Sequence, residues 1–226
     1  MVHAGESSPG VWLNSFDGFS GIRSDDYWTS TRGDSYGWVV DMSDGLLGRQ
    51  NISAYGSFAM IWVVRESVTG VISLPKTGKT VNFRPKDDGV LELGAAWPSP
   101  RFLINDGLVF DALTGLLWKQ EPYNVAVTWD EAMTYAENLD YAGYSDWRLP
   151  NRNEMRSIVS YGASSIDSYV AGKFDTLVPE DKFWWTSTTY ASPYGSGSAW
   201  VLYLDNGNSG DKPKTDKYYC WVVRDP

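Results

Sequence analysis

Residues that carry most enzyme chemistry are scarce in this chain of 226 residues, which has one histidine, His3, and one cysteine, Cys220. A Ser-His-Asp or Cys-His couple needs a histidine held by its surroundings, and His3 lies at a chain end, where side chains fray. One thiol excludes a disulfide within the chain and a cysteine-based zinc site. Cys220 aligns with Ile61 of an earlier, similar run, so it reads as a small buried hydrophobe. The 28 Asp and Glu residues offer many carboxylate pairs for glycoside hydrolysis, but no spacing singles one out. The expectation is a protein that is not an enzyme.

Metal and phosphate chemistry fare little better. Asp205, Asn206, Asn208 and Asp211 form a run of hard oxygen ligands suited to calcium. The run departs from the EF-hand order, with Gly207 at the third position and no Glu at the twelfth. A hairpin turn is the preferred reading, and no cofactor is expected. Asp87-Asp88-Gly89 is a similar acidic turn. Gly78-Lys79-Thr80 resembles the end of a phosphate loop, but Ser73 stands where that loop needs glycine and no apolar strand leads in.

Recognition chemistry is better supplied. Tyr190 and Tyr194 sit among Gly and Ser in residues 189–198, the composition of many binding loops. Lys212, Lys214 and Lys217 form a local basic patch on a chain of formal charge −9. Both stretches also fit a plain solvated loop. The acidic balance argues against nucleic acid, whose phosphates need a positive field. No apolar run approaches the roughly 20 residues of a membrane span. The first residues are polar, so no export signal is visible.

The elements that would hold these residues come from an internal repeat. W-T-S-T recurs at 28–31 and 185–188, WVVDMSDGLLG at 38–48 matches WVLYLDNGNSG at 200–210, and W-V-V-R recurs at 62–65 and 221–224. The offsets are 157, 162 and 159 residues. Short β-branched and aromatic runs bounded by Asp-Gly or Asn-Gly read as strands joined by hairpins, and the length differences fall in the loops between them. Trp28, Trp38, Trp62 and Arg65, with Trp185, Trp200, Trp221 and Arg224, are therefore expected to be scaffold. Two helices precede the second copy. Thr128 with Glu131 and Asn151 with Glu154 have capping-box spacing, and Ala132, Tyr135, Ala136 and Leu139, then Met155, Ile158 and Val159, give their apolar faces. Between them Asp146, Trp147 and Arg148 read as a structural turn, fixed by an Asp–Arg pair or a backbone cap, with Trp147 buried. The first copy has too few preceding residues for two such helices.

FDALTGLLWKQ at 110–120, SDWRLPNRNEM at 145–155, FWWTST at 183–188 and YYCWVVR at 218–224, following WPSPRF at 97–102, resemble in order the Lcl C-terminal domain family, named for a Legionella collagen-like adhesin. The resemblance implies an α+β, C-type lectin-like module with two helices and a twisted antiparallel sheet over 101–226. Residues 1–66 would be a partial copy, the C-terminal half of a module, and 67–100 a turn-rich connector. It also implies a bacterial protein, exported or at the cell surface. The expected function is non-enzymatic binding of a glycan or protein ligand through loops of the second copy. The alternatives are a structural or assembly unit of a larger surface protein, as a possible homo-oligomer, or a hypervariable ligand-display protein.

Overall fold

The computed structural model describes residues 8–15, 19–33, 35–52, 59–62, 74–163, 170, 173–174, 183–190, 197–204 and 206–226. They divide into two compact units, one ending at Ala96 and the other beginning at Trp97. Each is mixed α+β, built mostly from antiparallel sheets and short helices.

The first unit runs α1 (Pro9–Asn14), β1 (Asp26–Arg32), β2 (Tyr36–Asp41), β3 (Leu47–Asn51) and α2 (Asp88–Leu91). The three strands form an antiparallel meander. Among the described residues, Leu13, Trp38, Val39, Met42 and Leu47 are its buried large apolar side chains. Asp87 caps α2, and its carboxylate accepts the amides of Phe83, Arg84 and Val90. Those amides, Phe83 first, hold its pKa below the ordinary value. Asp88 accepts hydroxyl protons from Thr31 and Thr77. A Cβ on Gly89 would stand 2.1 Å from the carbonyl oxygen of Val81, so the turn demands glycine. The acidic turn is thus spent on local structure. So is the Gly-Lys-Thr sequence, where Lys79 lies over the Phe83 ring.

The second unit runs β4 (Phe102–Asn105), β5 (Leu108–Asp111), β6 (Leu117–Lys119), β7 (Tyr123–Val127), α3 (Trp129–Glu137), α4 (Arg152–Ser157), β8 (Phe183–Thr189), β9 (Ser198–Tyr203), β10 (Asn208–Pro213), β11 (Tyr218–Cys220) and β12 (Val223–Arg224). Both helices begin at the expected capping boxes, Thr128 with Glu131 and Asn151 with Glu154. One sheet has the order β10-β9-β8-β11-β7 and the other β12-β6-β5-β4. The larger sheet departs from a purely antiparallel expectation, because β11 lies parallel to β8 through Tyr219 and Trp184. Strands that pair in parallel cannot be joined by a hairpin, so the chain first passes through β9 and β10.

Successive residues of an extended chain point to opposite faces, and both faces of β8, of β9 and of the run from β11 into β12 are buried. Trp184, Leu202, Trp221 and Val223 go to one core with Trp118, Met155 and Phe174. Trp185, Val201, Cys220 and Val222 go to the other with Ala132, Ala136, Trp147 and Leu149. That explains the near-continuous apolar runs FWW, AWVL and CWVV. A buried ion pair fixes the β5–β6 turn. Arg101 donates from Nε and Nη2 to the two carboxylate oxygens of Asp111 at 2.8 and 2.7 Å, and from Nη2 to the Ser157 carbonyl at 2.7 Å. Both partners are buried.

The sequence repeat is a structural repeat. In the first unit Asp26 faces Asp41, Trp28 faces Val39 and Arg32 faces Gly37, with a bulge after Trp28. In the second, Phe183 faces Tyr203, Trp185 faces Val201 and Thr189 faces Ala199, with a bulge after Trp185. These are the same positions at offsets of 157 and 162. The following hairpins agree as well, Val39 facing Gly48 as Val201 faces Gly210. Thr29 donates its hydroxyl proton to the Trp38 carbonyl at 3.1 Å, as Thr186 does to that of Trp200 at 2.8 Å. Gly45 and Gly207 turn both β-hairpins with positive φ, +81° and +72°.

Candidate functional site

The equivalence shows where the copies part. Gly33 donates its amide to the Tyr36 carbonyl and closes the β1–β2 connection around residues 34–35. Tyr190 donates to the Ser198 carbonyl at 3.0 Å and closes the β8–β9 connection around residues 191–197. Gly33 and Tyr190 are equivalent, as are Tyr36 and Ser198. The copies therefore differ by five residues of sequence between equivalent closing bonds.

The base of that insertion is held by specific contacts. Lys214 donates its amide to the Gly197 carbonyl at 2.8 Å. Its ammonium group donates to Thr189 Oγ1 at 3.2 Å and lies 3.9 Å from the centre of the Trp129 ring. Trp129, the first residue of α3, donates its own amide to the Lys214 carbonyl and its indole N–H to that of Thr186. Tyr190 stands edge-on to buried Trp200 at 5.3 Å. Thr189, Tyr190, Gly197, Lys214 and Trp129 thus meet at one end of the five-stranded sheet. Exposed Lys217 lies near Glu131, whose pKa is held down first by the Thr128 amide and further by that lysine. Lys212 projects over Phe183 instead, with its nitrogen 4.6 Å from the ring centre. The expected lysine patch is therefore divided. Tyr194 and Arg65 lie outside the described residues. Trp129 is a rim residue that sequence reading passed over. A signal existed, since it adjoins Thr128, already singled out as a helix cap.

The expected calcium run lies in the β9–β10 hairpin. Asn206 Oδ1 accepts the Asn208 amide, Gly207 has positive φ, and Asp211 faces Trp200 across the strands. Asp205 is outside the described residues. Among the described residues no group of three or more His, Cys, Asp or Glu could hold a metal ion.

The Asp146-Trp147-Arg148 turn is held by ion pairs to other parts of the chain. Asp146 accepts from Arg224 at 2.7 and 3.1 Å, which holds its carboxyl below the usual range. Arg148 forms a bidentate pair with Glu154 at 2.8 and 2.9 Å and reaches Asp225 at 3.1 Å. Each of the two charged residues thus pairs with another part of the chain rather than with the other across Trp147. The turn is thereby clipped to β12, where Arg148 and Val223 also exchange backbone hydrogen bonds. Trp147 is buried between them.

This ordered set of β5–β6 turn, capped helices, clipped turn and Trp-rich strands coincides with a family match, to the Lcl C-terminal domain over residues 107–224, more than half of the chain. The chain belongs to the Lcl C-terminal domain family. No curated protein matches it. The Lcl domain comes from bacterial surface adhesins, its function is largely unknown, and it has no known catalytic role. Cys220 of this Lcl domain is buried, and burial pushes its thiol pKa up to about 12, the opposite of what a nucleophile needs. Among the described residues no helix is long and apolar enough to cross a membrane.

Proposed function

We propose that the chain is a non-catalytic recognition module of a bacterial surface or exported protein, and that it binds a glycan or protein ligand at the tip of the β8–β9 hairpin. One observation carries this reading. Two hairpins keep the same register, bulge and threonine–tryptophan bond, and differ by an insertion whose base gathers Thr189, Tyr190, Lys214 and Trp129. A shared scaffold serves folding, and a difference grafted on its tip is where specificity resides. Tyr190 supplies contact area, while Lys214 and Lys217 supply cationic donors. On this reading residues 101–226 form a complete C-type lectin-like domain. Residues 1–66 are the back half of a second one, joined through 67–100.

The test is a glycan array and a pull-down with the 226-residue chain, compared with a Tyr190→Ala/Lys214→Ala variant. Ligand capture that drops at least about tenfold in the variant, with unchanged near-ultraviolet dichroism, supports the reading. Capture unaffected by the double substitution, or turnover of a small substrate without any capture, overturns it.

A further inference from the structure

In the second unit β11 is an inner strand. Tyr219 pairs with Trp184 of β8 on one side, while Tyr218 and Cys220 pair with Val127 and Tyr123 of β7 on the other. Residues 59–61 take the place of β11 in the first unit. Met60 bridges Tyr27 in parallel, as Tyr219 bridges Trp184, donating its amide to Asp26 at 2.7 Å and accepting from Trp28 at 3.0 Å. The offsets are again 159 and 157. The other side of this strand differs. Among the described residues nothing occupies the place of β7, and neither Ala59 nor Ile61 has a backbone partner. Ile61 is 78% exposed, whereas its equivalent, Cys220, is 0% exposed. A free strand edge is a template for another strand.

The surroundings of that edge specify its occupant. A groove of about 400 Å³ is lined by Arg23, Asp25, Asp26, Ala59 and Met60, two of them from the edge strand and three from the chain leading into β1 and its first residue. Asp26 stands where the second unit has Phe183. Arg23 is paired with Asp25 at 3.0 Å, so the groove keeps an excess negative charge. Burial, then the nearby Asp41 and Asp25, raises the pKa of Asp26, a strain that an incoming cation relieves. Phe19 and Trp62, edge to face at 5.5 Å and both partly exposed, add apolar surface nearby. A second copy of this chain, at −9, is a poor electrostatic match.

We propose that the Ala59–Ile61 edge receives an extended strand of a protein partner, antiparallel as β7 lies on β11, with Lys or Arg side chains directed at Asp25 and Asp26. Backbone hydrogen bonds supply the attachment and the acidic groove supplies the selection.

The test uses the ¹⁵N-labelled 226-residue chain and a synthetic eight-residue peptide of alternating valine and lysine. Two controls accompany it, one with glutamate for lysine and one N-methylated on its pairing edge. The lysine peptide is expected to slow hydrogen exchange at Ala59 and Ile61 at least about tenfold, and the N-methylated and glutamate peptides not at all. Ile61→Pro removes an edge amide that has no partner to lose and is expected to abolish peptide binding. Asp25→Asn with Asp26→Asn is expected to weaken it about fivefold or more. No protection at millimolar peptide, or equal protection by the glutamate peptide, overturns the proposal. So does peptide-free protection that grows with protein concentration and disappears in Ile61→Pro, since that assigns the edge to a second copy.

Discussion

The β1–β2 and β8–β9 hairpins are the same object in two settings. Strand partners, bulge position and the threonine hydroxyl on a tryptophan carbonyl agree, yet Trp62 is 37% exposed and its equivalent, Trp221, is 0% exposed. Trp221 meets Trp118, Phe174 and Trp184 and donates its indole proton to the Lys119 carbonyl. Trp62 meets Phe19 and Tyr27. The Tyr27–Trp62 contact is the counterpart of Trp184–Trp221. β6 and Phe174 have no counterpart among the described residues of the first unit. The Trp motif therefore sets register, while burial is decided by whatever packs against it. A motif can be kept for pairing where its hydrophobic contribution is largely unspent.

The contrast predicts unequal costs for like substitutions in the two units. The largest concerns two turns that lie outside the repeat offsets but share a local geometry, headed by Asp41 and Asp111, whose carboxylates both accept the amide two residues on. Asp111 also neutralises buried Arg101, so Asp111→Ala leaves an unpaired internal charge and should cost about 3–5 kcal/mol in urea unfolding. Asp41→Ala loses local hydrogen bonds and should cost about 1 kcal/mol. Comparable costs would mean that the ion pair contributes no more than the turn.

Trp221→Ala should lower stability by about 3–5 kcal/mol. Trp62→Ala, half in solvent, should cost less than about 1.5 kcal/mol by the same measurement. A large loss at Trp62 would show that the first unit buries this residue in solution. A smaller effect is expected at the threonines. Thr186→Val, in the core, should cost about 1–2 kcal/mol and Thr29→Val a few tenths, both read from unfolding midpoints.

The smallest difference near neutral pH comes from Cys220, which the first copy replaces with Ile61. The thiol pKa rises from an ordinary 9.0 to about 12 on burial. The folded chain then holds its proton where the unfolded chain releases it. Stability from this group is complete below pH 9 and declines as pH rises from 9 towards 12. Cys220 should resist a thiol reagent until the second unit unfolds. Labelling of the folded chain at pH 8, at a rate independent of denaturant, would contradict its burial.

Much of this was legible in the sequence. The three offsets carried the register, because a strand cannot slip by one residue without turning Trp28 or Trp185 to the wrong face. Thr128 with Glu131 and Asn151 with Glu154 announced both helix starts through spacing alone. Partners far along the chain were less legible. Nothing local to Asp146 names Arg224 as its partner, 78 residues on. The parallel placement of β11 beside β8 is equally silent, since period-two alternation is identical for both directions. Arg101 gave no sign of its buried pair with Asp111, which lies ten residues further on and across a strand turn. The candidate site was half legible. Tyr190 and Lys214 stood out by composition, but their meeting with Thr189 and Trp129 depends on sheet order.

One graft bears most directly on the account. Replacing residues 191–197 with residues 34–35 gives the second hairpin the short tip of the first. The shared register predicts a folded domain with its tryptophan dichroism intact, a stability within about 1 kcal/mol of the parent, and loss of whichever glycan or protein the parent captures. A graft that unfolds the second unit would contradict the equivalence of the two hairpins. A folded graft that still captures the ligand would contradict the placement of function at the tip.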